Sequence, residues 1–333
     1  MQHPDAPPGT MRSRAISMLV LATLYWGISF PIIKTLTLMN RAFFPEAGSW
    51  FVTAAATAPR FLLAAALVLV FGRRGGGITP LAREIKQGLG LGIFASAGTL
   101  FQTDGMQFTA ASTSAFLTQF SAILIPTWVA FRGRRNPGAL VWVCCGLVLA
   151  GVGILGHFDW RTLRFGRGEW ETLLCSFFFM GQILWIERKE FAGNRPGTVT
   201  LVMFSTQALI FCSLAAATAP GIRALGVPWT SPVWVGLTAA LTVVCTIGAF
   251  SLMNKWQPLI TATEAGLIYC IEPVFASIFA LFLPAIFAGW ARIHYSDEHW
   301  TWSLLVGGAL ITFANVLIQA RAAPPLPVGA RET

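Results

Sequence analysis

Ten stretches of apolar residues, most of them about twenty long, run through this chain between short charged or Gly/Pro-rich breaks. They fall at 14–38, 48–71, 85–106, 112–131, 137–157, 169–187, 198–219, 232–254, 262–287 and 300–320. A helix of about 20 apolar residues crosses the hydrocarbon of a bilayer, and within that layer only helices and closed barrels satisfy every backbone N–H and C=O. Charge rules out the soluble alternative. Only 11% of the 333 residues are charged, against roughly 25% in globular domains, so much of the surface faces something other than water. The same apolar content, 55% of the chain, excludes a disordered protein. The expected fold class is an all-α integral membrane protein with ten transmembrane helices.

The formal charge of +9 has a topological explanation. With the N-terminus inside, fifteen Lys and Arg lie on the inner loops and termini and seven on the outer side, while Arg60 lies within a span. Cations collect on the cytoplasmic side, so both termini are expected there, in a multi-pass protein of the inner membrane. The partners this implies are the lipid bilayer and a small-molecule substrate, not nucleic acid. Arg12 and Arg14 followed by an apolar run imitate a signal peptide. That run continues to Ile33, too long for the apolar core of a leader, and reads as an uncleaved first helix. Cys144, Cys145, Cys175, Cys212, Cys245 and Cys270 all sit in apolar stretches without paired ligand spacing, which reads as small core residues with no metal and no cofactor.

The charged segment 158–168 divides the spans five and five. The expected organisation is a disordered cytoplasmic N-terminus at 1–13, a first five-helix unit at 14–157, an external linker at 158–168, a second unit at 169–321 and a disordered Pro-rich tail at 322–333. The units repeat weakly. Tyr25-Trp26-Gly27-Ile28-Ser29-Phe30 leads to Lys34 as Phe179-Met180-Gly181-Gln182-Ile183-Leu184 leads to Arg188, at an offset of 154. Thr113-Ser114-Ala115-Phe116-Leu117 matches Thr263-Glu264-Ala265-Gly266-Leu267 at an offset of 150, and an in-helix proline follows each, Pro126 and Pro273. Five helices per unit is odd, so the copies must enter the membrane in opposite orientations. Inverted repeats of this kind place a transport site at their interface near mid-membrane.

With these residues the chain resembles the drug/metabolite transporter superfamily and its EamA-like ten-helix branch. The resemblance rests on Trp26-Gly27-Ile28-Ser29-Phe30 with Lys34, Pro59-Arg60-Phe61-Leu62, Gln107-Phe108-Thr109-Ala110-Ala111-Ser112 with Ser114-Ala115-Phe116-Leu117, and Glu272-Pro273-Val274, across about residues 14–320. Within that superfamily the chain is most similar to bacterial exporters of aromatic amino acids. One departure is Phe282-Leu283-Pro284-Ala285-Ile286, where members often carry Gly-Glu soon after the Glu-Pro helix.

A charge at mid-bilayer costs about 2.5–3.5 kcal/mol on insertion scales, which singles out Arg60, Glu264 and Glu272 as a charge pair or coupling set. Glu272, about ten residues into its span and beside the kinking Pro273, reads either as a structural carboxyl paired with Arg60 or as a protonatable, substrate-contacting group. Ala265, Tyr269 and Glu272 follow i, i+4, i+7 spacing, and the repeat maps them onto Ala115, Gln119 and Ala122. The cavity candidates are therefore Trp26 as a stacking wall, with Gln102, Thr118, Gln119, Asn254, Tyr269 and Glu272. Pro126 and Pro273 are the candidate hinges.

Three functions compete. The first is a secondary transporter exporting aromatic and other large neutral amino acids. No Gly-x-x-x-x-Gly-Lys-Ser/Thr loop is present, so energy, if used, must come from a gradient. The second is an exporter of cationic compounds with the same fold, using Glu264 or Glu272 as counter-ion. The third is a membrane enzyme, which lacks a convergent catalytic set: His3, His157, His294 and His299 all lie at ends or in loops. Two pseudo-symmetric halves suffice for a monomer.

Overall fold

The computed structural model describes residues 8–74, 80–108, 114, 117–133, 138–155, 166–295 and 302–321. Helix is the only regular structure among them. α1 (Pro8–Phe43), α2 (Ser49–Arg74) and α3 (Ala82–Gly105) are followed by α4 (Ser121–Gly133) and α5 (Ala139–Leu155). α6 (Arg167–Ile186) and α7 (Pro196–Thr218) follow. A third long segment runs as α8 (Pro232–Ala240), a π-helical stretch (Leu241–Gly248) and α9 (Ala249–Trp256). The chain closes with α10 (Ala262–Tyr269), α11 (Glu272–Ala280), α12 (Leu283–Ala291) and α13 (Trp302–Arg321). Five segments among the described residues are long and apolar enough to cross a membrane: Met11–Phe43, Ser49–Gly72, Pro196–Thr218, Pro232–Leu259 and Ala262–Ala280.

Several boundaries differ from the sequence expectation. α1 begins at Pro8, inside the segment 1–13 assigned to a disordered terminus. Its first turns are held because Arg12 pairs with Glu264 at 2.5 Å and Arg14 lies 5.4 Å over the Trp256 ring. The span 262–287 is not one helix. Pro273 has no N–H to give and its ring crowds the preceding turn, so the chain turns at Cys270–Ile271 and Pro273 enters a new helix, α11. Leu283 and Pro284 start a third piece, α12, that runs on to Ala291. The span 112–131 is also interrupted, by a turn at Gln119–Phe120 before α4, with Pro126 further on inside that helix. The segments 109–113 and 322–333 and most of the linker 158–168 lie outside the described residues.

Broken helices leave carbonyls without N–H partners, which hydrocarbon does not tolerate. Thiols fill the gaps. Pro126 deprives the Ala122 carbonyl of its donor, and the Cys145 thiol donates to it at 3.2 Å. At the second break the Cys270 thiol donates to the Gly266 carbonyl at 3.3 Å. In the π-helical stretch, where the backbone bonds run from i+5 to i, the Thr246 hydroxyl adds a second donor to the Leu241 carbonyl at 2.9 Å. The free cysteines thus belong to the core, as their apolar setting implied, and two of them complete helix breaks.

The strongest packing joins α2 to α7, α3 to α6 and α7, α5 to α13, and α1 to α11, α9 and the π-helical stretch. Small residues let these backbones approach. A Cβ at Gly88 would lie 2.5 Å from Val202 Cβ, and one at Gly92 2.5 Å from Thr206 Cβ, both on the α3–α7 seam. At Gly27, where α1 crosses α11, it would lie 2.6 Å from Phe275 Cβ and 3.0 Å from the Ala276 backbone nitrogen. The buried core divides among α1, α2, α7 and α9 on one side, α4, α5, α10 and α13 on another, and a smaller cluster of α1 with α8 and α12.

Gly27→Ala is expected to lower the thermal unfolding temperature in detergent by several degrees, as overpacking of about 1–3 kcal/mol does. Gly146→Ala, where nothing lies within 4 Å of the new Cβ, is the control and leaves the melt unchanged or higher.

Candidate substrate cavity

Where α1, α2, α3, α6, α9 and the two helix breaks converge they leave a cavity of about 100 Å³. At on the order of 10–15 Å³ per water, that is room for several waters. α1 contributes Trp26, Ser29, Phe30 and Ile33, one helical face read at i, i+3, i+4 and i+7. α2 contributes Arg60, and α3 Thr99, Gln102 and Thr103. Thr118, Gln119 and Ser121 come from the first break, Tyr269 and Glu272 from the second. Phe179, Gln182 and Ile183 of α6, Phe250 and Met253 of α9, and Met106 just after α3 complete the wall.

Three of the lining aromatic rings pack together, on the side of the cavity towards the end where α1 begins, called here the near end. Trp26 meets Phe250 edge-to-face at 5.4 Å and Tyr269 at 5.3 Å. The Tyr269 hydroxyl donates to Gln257 Oε1 at 2.8 Å, and the Gln257 amide donates to the Ile183 carbonyl at 2.9 Å. Tyr269 thus holds a hydroxyl in an apolar setting without leaving it unsatisfied.

Of the residues singled out from sequence, Trp26, Gln102, Thr118, Gln119, Tyr269, Glu272 and Arg60 line this one cavity. Asn254 does not. It points from α9 to α7 and donates to Thr200 Oγ1 at 3.0 Å, bridging two helices. Trp185 also faces away, its indole N–H donating to the Gln87 carbonyl at 3.2 Å. Trp234 is fully buried, and its indole N–H donates to Asn40 Oδ1 at 3.0 Å.

The charge pairing differs from expectation. Glu264 is no mid-membrane charge: it pairs with Arg12 and caps α10, accepting from the Thr261 N–H at 3.0 Å. The sequence carried this signal as Thr261-Ala262-Thr263-Glu264, a capping box. Arg60 does not pair with Glu272. Its Nε donates to Thr246 Oγ1 at 2.5 Å, on the π-helical stretch that bulges towards α2. Glu272 is half-buried and has no hydrogen-bond or ion-pair partner among the described residues.

Both ends of the bundle carry polar clusters. At the far end the fully buried Asp104, a span-end carboxylate that the sequence reading passed over, accepts from Arg167 at 2.5 Å, Thr53 at 3.1 Å and Ser49 at 3.3 Å. Gln107 adds a 3.3 Å contact to Asp104 and accepts from Arg41 at 2.7 Å. At the near end Glu84 accepts from the Arg195 backbone N–H at 3.0 Å and its guanidinium at 2.8 Å. Among the described residues no cluster of His, Cys, Asp and Glu could hold a metal.

A bundle of membrane-length apolar helices around a cavity with buried charge defines a multi-pass membrane protein. Two proteins of Archaeoglobus fulgidus, both named as uncharacterized transporters, are similar to it. One is 26% identical over 280 residues, covering 82% of this chain and 79% of that protein. The other is 25% identical over 288 residues, covering 82% and 90%. No protein-family model matches the chain. A protein crystal structure superposes with a TM-score of 0.68 at 18% identity, covering 92% of this chain and 97% of that one, a likeness of fold alone.

The hydrogen bonds from Arg195 hold the Glu84 carboxyl down from 4.5 to about 2 against its burial. A carboxyl whose folded value is depressed adds stability that is full above about pH 4.5 and is lost as pH falls towards 2. Glu84→Gln is expected to lower the unfolding temperature at pH 7, by the lower part of the about 1.5–3 kcal/mol range for charged hydrogen bonds because Arg195 is half-exposed. Melting curves of the two proteins should converge as the pH is taken from 4.5 to 2.

Proposed function

We propose that the protein is a secondary transporter that exports small metabolites, aromatic and other large neutral amino acids in particular, by alternating access about this cavity. The observation that carries the reading is the cavity itself. Both halves of the chain line it, its walls are aromatic, and among its polar groups Glu272 stands without a partner. The relatives named as transporters support the same class.

Ten helices in two inverted five-helix repeats are the architecture this proposal assumes, and the packing supports it. The second helices of the halves pack together (α2 with α7), as do the fifth (α5 with α13). The third helix of each half packs on the first of the other: α3 on α6, and the π-helical stretch with α9 on α1. Each of these strongest cross-contacts has its exchanged counterpart, the pattern of a two-fold axis in the membrane plane. The turns at Gln119–Phe120 and Cys270–Ile271 are a further match, at an offset of 151.

In the mechanism the halves rock about Pro126 and Pro273. Arg12 of the first half holds Glu264 of the second at the near end, and Arg167 of the second half holds Asp104 of the first at the far end. Glu84 with Arg195 and Lys86 with Glu190 also join the halves at the near end, and releasing the pairs of one end opens that end while the other stays closed. Both termini then lie at the cytoplasmic face of an inner membrane, and one chain suffices. No enzymatic step is assigned. A second reading, export of cationic compounds, is favoured by one observation, the unpartnered Glu272 carboxylate beside Trp26 and Tyr269.

Proteoliposomes test the proposal with labelled phenylalanine or tryptophan, with and without a pH gradient. The expected result is saturable uptake competed by other large amino acids, with Glu272→Gln reducing it roughly tenfold, the loss of one contact of about 1.4 kcal/mol, and blunting its response to pH. Absence of uptake by folded, inserted protein would overturn the amino-acid reading.

A further inference from the structure

The cavity wall contains a guanidinium that the protein leaves half-satisfied. Arg60 is 5% exposed. Of its five N–H groups one, on Nε, donates to Thr246, and among the described residues the two terminal nitrogens have no hydrogen-bond partner. The aromatic ring beneath it is that of its own neighbour Phe61, at 4.9 Å. Other carboxylates are committed to other cations: Asp104 to Arg167, Glu84 to Arg195 and Glu264 to Arg12. Glu272 lines the same cavity without reaching Arg60.

A buried cation without a counter-charge is strongly unfavourable, and a guanidinium is built to take a planar oxyanion through two parallel N–H bonds. Thr246 fixes which edge is free. With Nε engaged on the π-helical stretch, the end of the fork that carries both Nη nitrogens remains for a ligand. The hydroxyl is itself locked, because it donates to the Leu241 carbonyl.

We propose that Arg60, oriented by Thr246, is the anchor for a carboxylate on the transported molecule, so that the substrate class is small carboxylates with an aromatic or apolar body. The proposal rests on the transporter reading above and decides between its two substrates. A zwitterionic amino acid supplies the carboxylate for Arg60 and an ammonium for Glu272, with Trp26 and Phe250 along its side chain. A cationic compound leaves the guanidinium unpaired and adds like charge to the cavity.

The test measures ligand-induced thermal stabilisation of the purified full-length protein by phenylalanine, phenylalanine amide, phenethylamine and 3-phenylpropionate. Phenylalanine is expected to bind best, and loss of its carboxylate, as in the amide and the amine, to weaken binding roughly tenfold or more, the loss of a charge-assisted pair. Arg60→Gln should remove that preference and Arg60→Lys restore part of it. Should Arg60→Gln fail to fold, Thr246→Val frees the fork while keeping the charge, and should weaken phenylalanine while leaving phenethylamine unchanged. Equal or tighter binding of the amine or amide by the unaltered protein overturns the proposal and leaves the transporter reading standing. The carboxylate preference surviving in Arg60→Gln or Thr246→Val does the same. Binding of none of the four by folded protein overturns the amino-acid reading and the proposal with it.

Discussion

Hydrocarbon offers no hydrogen-bond partner to a peptide group, and everything else in this protein follows from that. The chain answers first with helices, and then, at two interrupted helices, with a thiol in place of the missing backbone donor. Cys145 serves the Ala122 carbonyl and Cys270 that of Gly266, while Thr246 adds a side-chain donor to that of Leu241. The departures are not scattered. Gln119 and Glu272 sit at the two helix breaks, and the π-helical stretch carries Thr246 to Arg60. The cavity lies where the helices are least regular, because irregular backbone at membrane depth is tolerated only when protein or a cavity surrounds it.

Charge is handled in the same way. A buried ion must be paired or given a ligand, and all six ion pairs between described residues lie at the two ends of the bundle, four of them joining one half to the other. That leaves Arg60 and Glu272 facing the cavity, and their unmet needs describe the molecule the cavity would hold. Two of the four cross-half pairs, Arg12 with Glu264 at the near end and Arg167 with Asp104 at the far end, are of opposite polarity between the halves. One movement of one half against the other can therefore act on both.

The apolar stretches and the cavity residues were legible in the sequence to different degrees. Stretch lengths are set by the bilayer, so the long helices could be read directly. Trp26, Arg60, Gln102, Thr118, Gln119, Tyr269 and Glu272 stood out as polar or aromatic groups deep in apolar spans, and they meet in one cavity. Asn254 stood out for the same reason and bridges two helices, because an amide within a span reads alike in either role. The shared face drawn through Ala265, Tyr269 and Glu272 assumed a straight helix, which the turn at Cys270–Ile271 does not provide. Thr246 was hidden altogether: its approach to Arg60 depends on a π-helical stretch that periodicity does not announce. Asp104 was passed over because a carboxylate at the end of a span looks solvated, whereas here it is fully buried under Arg167.

The central claim is that the two ends open in alternation about the cavity. Pulsed electron-spin distance measurements test it most directly, on the full chain in lipid, with one label pair at Ser13 and Thr261 across the near end and another at Glu46 and Gly166 across the far end. Alternating access predicts that conditions favouring transport, substrate added or the pH gradient reversed, lengthen one distance distribution as they shorten the other. Distances that change together at both ends, or that stay fixed while the same preparation transports, would contradict it.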